Sequence, residues 1–162
     1  MQELMTSDAS DAINSEDVMR GQYLTFRVKD GDYGIEIRYI TEIIEVQNIT
    51  NVPHTPGYVK GIINLRNTIV PVIDMGLRFS MNEIECTDRT CIIVLSMKDL
   101  NIGLIVDEVR EVLTIDDENL QMPPAGKGGA KNEFVKAIGM YEDRINQLLD
   151  INKVFEVEEV TA

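Results

Sequence analysis

The sequence predicts a mainly β protein built as two small barrels of the SH3 type. Three observations carry this expectation. Short runs of alternating apolar and polar residues recur along the chain. Turn-forming residues separate them. The whole pattern also appears twice, at a nearly constant shift, with about five short strands in each copy of roughly 60 residues.

The elements follow in order. Residues 1–19 hold five acids and no Lys or Arg, which reads as an acidic tail without a core of its own. In Tyr23–Val28, Leu24, Phe26 and Val28 share one strand face. Asp30-Gly31-Asp32 is a turn, and Tyr33–Ile37 returns. Ile37, Ile40 and Ile44 fit i, i+3, i+7 spacing and predict a helical turn. A loop bounded by Pro53 and Pro56 follows. Val59–Leu65 and Ile69–Asp74 then form two strands about Arg66-Asn67-Thr68. In the second half, Cys91–Met97 is strongly β-prone, Lys98–Asn101 turns, and Ile102–Val106 returns. Val109, Val112 and Leu113 predict another short amphipathic turn. Residues 121–132 are the loosest internal segment. Phe134–Gly139 and Ile145–Leu149 are the last strands, and Ile151–Glu159 is a short closing helix.

The repeat is ordered. Gly34–Val46 lies on Gly103–Ile115 at a shift of 69, which also places Lys29-Asp30 on Lys98-Asp99 and Glu42 on Glu111. Tyr58-Val59-Lys60 lies on Phe134-Val135-Lys136, and Ile69…Asp74 on Ile145…Asp150, at a shift of 76. The extra residues fall in the loose segment, where insertion is tolerated. A residue present in both copies serves the shared fold, so Glu42 and Glu111 are partly structural. Arg66 has no basic mate, since Glu142 takes its place.

Charge and composition narrow the function. Lys and Arg total 15 against 28 acids, for a net charge of −13. Such a polyanion repels nucleic-acid backbones and anionic lipid surfaces. One His and two Cys leave no two-histidine metal site. No apolar run reaches membrane-spanning length, and the N-terminus lacks a signal peptide's basic start and apolar stretch. A cytoplasmic protein with Cys86 and Cys91 reduced is expected, Cys91 being a small core residue.

The standard chemical motifs fail. Gly126-Lys127-Gly128-Gly129 lacks the first Gly and the final Ser or Thr of a phosphate loop. The stretch from Asp30 has Ile35 and Thr41 where a calcium loop needs Gly and Glu. His54 sits in a Pro-bounded loop beside no nucleophile. Asp116-Asp117-Glu118 reads as a solvated turn. No catalytic residue, metal or cofactor is assigned, and an interaction protein is favoured.

Several blocks are similar to a known family. Gln22-Tyr23-Leu24-Thr25-Phe26, Tyr33-Gly34-Ile35-Glu36-Ile37, Thr41-Glu42-Ile43 and Gly103–Asp107 resemble the CheW family of bacterial chemotaxis adaptors. Pro56–Arg66 with Ile69–Asp74 is the most specific block, and Glu142–Ile145 continues it. The likeness covers about residues 20–158, without kinase segments or a receiver domain.

The resemblance implies two intertwined five-stranded SH3-like barrels with short helical turns and a short C-terminal helix. The approximate repeats are 20–83 and 84–158, and 159–162 is a tail. It implies a non-catalytic scaffold joining chemoreceptor cytoplasmic tips (methyl-accepting chemotaxis proteins) to the regulatory domain of the histidine kinase CheA, in membrane-associated arrays. Receptor contact would lie in an apolar groove between the barrels. The matching positions are Ile40, Glu42, Arg66, Cys91 and Val112, with Gly61, Asn67 and Gly103 holding backbone geometry. Asn67 stands where the family usually has Gly, and Asn tolerates the left-handed backbone such a turn needs. Leu120, Met122 and Pro123 form a second candidate contact. Arg66 is expected to pair with Glu42, either within the fold or while presenting Arg66 to a partner. Two other readings stand beside this one: the same scaffold in a non-chemotaxis pathway, and a small carboxylate-dependent enzyme.

Overall fold

The structure, a computed structural model, describes residues 21–123 and 133–155. The expected tails, most of the loose segment and the far end of the closing helix lie outside the described residues.

Where the sequence alternates, strands form. They are β1 (Gln22–Val28), β2 (Gly31–Glu36), β3 (Ile40–Glu45), β4 (Val59–Leu65), β5 (Thr68–Asp74), β6 (Cys91–Met97), β7 (Leu100–Val106), β8 (Glu108–Thr114), β9 (Leu120–Gln121), β10 (Val135–Tyr141) and β11 (Arg144–Leu149). One-turn helices follow at Met75–Arg78 and Ile151–Val154. Each is capped by the Asp before it, through Asp74 to the Leu77 N–H and Asp150 to the Asn152 N–H.

Two expectations are corrected. The helical turn at Ile37–Ile44 is a 3₁₀ turn over Ile37–Tyr39 only, and Ile40–Glu45 is strand. The turn expected from Val109, Val112 and Leu113 is likewise strand, β8. Both strands carry a β-bulge against their partners, at Ile40/Glu42 and at Leu24/Phe26. An extra residue breaks the period of two and imitates helical spacing.

The strands form two sheets, ordered β8-β1-β2-β11-β10-β9 and β3-β6-β7-β5-β4. Each sheet draws strands from both copies of the repeat. In one, β1 and β2 of the first copy meet β8, β10 and β11 of the second. In the other, β6 and β7 of the second copy meet β3, β4 and β5 of the first. The exchange is the same in both directions, so neither copy completes a sheet alone. One sheet has a sixth strand, the two-residue β9, beyond the five expected. In the other sheet a single bridge, Thr50 to Ile62, lies on the outer edge of β4.

Two of the pairings between copies, β5 with β7 and β2 with β11, are parallel. Val72 pairs with Gly103, and Leu148 with Gly34. A Cβ on Gly103 would lie 2.7 Å from Ile92 Cγ2, and one on Gly34 would lie 2.8 Å from Leu148 Cδ2. Close approach explains glycine at both places.

Most buried side chains join one core shared by the two sheets, including Phe26, Ile35, Val72, Ile92, Leu104 and Phe134. A smaller cluster of Tyr23, Leu113, Ile115 and Leu148 fills the interior of the six-stranded sheet. Between the copies lies Arg78. Its guanidinium carbon stands 4.1 Å from the Tyr58 ring centre and 4.7 Å from that of Phe134. At the shift of 76, those two rings are equivalent. Arg78 also donates to the carbonyls of Val154 (3.1 Å) and Lys153 (3.2 Å).

Candidate functional site

The β4–β5 hairpin turns on Arg66 and Asn67, with φ of 51° and 69°. Such a two-residue left-handed turn follows the twist of its strands. Asn64 Oδ1 accepts the Asn67 N–H at 2.9 Å and fixes the loop. Asn67 thus adopts the left-handed backbone that the family's usual Gly would adopt.

From this turn Arg66 reaches across to β3. Its Nη1 and Nη2 donate to Glu42 Oε2 and Oε1, each at 2.7 Å. The pair forms within the fold, one of the two arrangements expected. β3 stands at one end of its sheet's strand order and the β4–β5 hairpin at the other. A fork-to-fork pair between the ends requires the sheet to curl, which is compatible with the barrel reading. The Arg66 side chain is 72% exposed against 24% for Glu42. The Arg66 hydrogen bonds hold the Glu42 carboxyl below its usual range. Two exposed aliphatic side chains lie close by in the chain, Ile43 beside Glu42 and Ile69 just past the turn.

The other expected residues fall into two groups. Ile40, Cys91, Gly61 and Gly103 share this five-stranded sheet. Ile40 is half-buried on β3. Cys91 pairs across to Glu45 and Val106. It is half-buried and packs against the main core, and burial pushes its thiol pKa up. Gly61 has φ 148°, and a Cβ there would lie 2.1 Å from the Thr50 carbonyl oxygen. Val112 lies in the other sheet, exposed on β8 opposite Leu24. Leu120 packs inward against the smaller core cluster, Pro123 is half-buried, and Met122 is exposed. Asp116, Asp117 and Glu118 stand exposed at a 3₁₀ turn.

One element was missed from the sequence. Arg144 Nη2 donates to Glu111 Oε2 at 2.8 Å. The second copy therefore has its own Glu–Arg pair, with the Arg two residues beyond the position equivalent to Arg66. The equivalent position, Glu142, is a turn residue, and Arg144 opens the strand after it, so testing the near neighbours of the equivalent position would have found it. The exposed aliphatics repeat too: Ile43 corresponds to Val112, and Ile69 to Ile145.

The family model for the CheW-like domain matches residues 22–159. The chain belongs to the CheW-like family. It is 34% identical to the chemotaxis protein CheW of Rhizobium meliloti over 141 residues, covering 87% of this chain and 91% of the relative. The chemotaxis protein CheW of Bacillus subtilis is 33% identical, with 83% and 86% covered. Among solved structures, the scaffolding protein TtCheW of Thermoanaerobacter tengcongensis superposes with a TM-score of 0.79 at 32% identity, covering 85% of this chain and 94% of that one. As a CheW-like protein, the chain has the role of a chemotaxis scaffold. Among the described residues, no helix is long and apolar enough to cross a membrane.

Proposed function

We propose that this chain links chemoreceptor cytoplasmic tips to the regulatory domain of CheA, without catalysis or a cofactor, and reaches the membrane through the receptors it binds. The observation that carries this reading is the open Arg66–Glu42 fork, with exposed Ile43 and Ile69 on the strands that hold or flank it. Solvent-facing aliphatics supply burial to a partner, and the oriented charge pair supplies register. Ile40, Cys91 and Val112 extend the contact in this reading, and Gly61, Asn67 and Gly103 hold its backbone. Leu120, Met122 and Pro123 serve a second partner contact.

The test is co-sedimentation with receptor signalling fragments and CheA, read together with kinase activity. Kinase activation that depends on the chain is expected. Arg66→Ala should weaken assembly while leaving the thermal midpoint close to wild type, because an exposed pair adds little to stability. Kinase activity indifferent to the chain would refute the reading. So would an Arg66→Ala protein that is mainly unfolded.

A further inference from the structure

The two copies occupy equivalent places, so each feature of one has a control in the other. The hairpins β4–β5 and β10–β11 are such a pair, and several differences between them point the same way. Val70 in β5 is fully buried and apolar. Its counterpart in β11 is Asn146, equally buried, with an amide nitrogen that has no hydrogen-bond partner. β5 is tied to β7 by three residue pairs, whereas β11 is tied to β2 by two. The charge pair beside β4–β5 is a two-bond fork, and that beside β10–β11 is a single bond. The apolar residues inside the five-stranded sheet belong to the main core. Under β10–β11 the packing is divided, with Val135 and Leu149 joining the main core and Leu148 the smaller cluster.

We propose that the β10–β11 hairpin is a soft element of the fold, opening from the six-stranded sheet while β4–β5 stays closed. Stability is not uniform within a domain, and segments with unmet polar groups and sparse apolar packing open first. Opening would free Asn146 to bond with water and uncover Tyr23, Leu113 and Leu148. Ile145 and Arg144 lie on the moving side while Glu111 stays on β8, so opening would part their ion pair and make the surface of this sheet adjustable where that of the other is fixed.

Amide hydrogen exchange on the full chain, read by mass spectrometry, tests this. Residues 135–149 should exchange at least about tenfold faster than 59–74 under native conditions. Asn146→Val copies the side chain found in the other hairpin. It should slow exchange of 135–149 by about tenfold and leave 59–74 unchanged. Equal protection of the two wild-type hairpins would overturn the proposal, whatever the variant does. A variant that slows both hairpins alike would also overturn it, since opening would then be global.

Discussion

Arg78 is the most informative residue to perturb, because it ties together the copies that the topology interlocks. Arg78→Ala removes a guanidinium from two rings and takes donors from two carbonyls. A partly desolvated cation–π contact is worth about 0.5–2 kcal/mol. A hydrogen bond from a charged donor adds about 1.5–3 kcal/mol when its partner stays buried, and less where water replaces it. Arg78 is half-buried, so water replaces part of this, and the expected loss is about 2–4 kcal/mol. For a domain of this length that lowers the melting midpoint by roughly 5–15 °C. Urea unfolding followed by circular dichroism gives the free energy, and calorimetry gives the midpoint. Arg78→Met keeps the aliphatic stem and separates packing from charge. Arg78→Lys keeps the charge but loses the planar fork, and should recover less than half the loss. An alanine variant within about 0.5 kcal/mol of wild type, or full rescue by lysine, would refute the reasoning.

The glycines and Glu36 give further tests. Gly34→Ala and Gly103→Ala each push a methyl to within 2.8 Å of a buried side chain. Each should cost about 1–3 kcal/mol in urea unfolding. Gly61→Ala should cost more, because the obstacle is the Thr50 backbone and φ is 148°. Burial alone would raise the Glu36 carboxyl, but Lys136 and Arg38 outweigh it, and the group titrates below its ordinary value of 4.5. Glu36 therefore contributes stability that is present above 4.5 and is lost as pH falls through its lowered value. Urea midpoints measured across this acid range should fall less steeply for Glu36→Gln than for wild type.

How far the sequence could be read depended on what kind of signal each feature leaves. Alternation is local, so β1, β4, β5, β6 and β10 are legible within a residue or two. β3 and β8 are not, because a bulge in each pairing breaks the alternation that the reading relies on. The duplication is legible because it repeats residue types in order. The exchange of strands between copies leaves no such trace: periodicity says which face of a strand is buried, not which strand lies beside it. The Arg66–Glu42 pair was expected, while its partner across the repeat was missed. Strict equivalence pointed to Glu142, and Arg144 does the work from two residues away.

That substitution of place bears on how duplication and binding divide the surface. Both copies carry a Glu–Arg link, so the link by itself does not distinguish them. What differs is where the Arg stands. Arg144 is the first strand residue after the turn, and its hairpin tip is Glu142-Asp143. Arg66 is itself the turn residue, so the same chemistry is carried to the outermost point of its hairpin. The equivalent tips thus present a cation on one sheet and two anions on the other, each near an exposed isoleucine, Ile69 or Ile145. A partner that seeks a positive tip beside an aliphatic patch can distinguish the two halves of a molecule whose backbones are otherwise alike. In the proposed reading, specificity follows from moving one residue by two positions, with the fold unchanged.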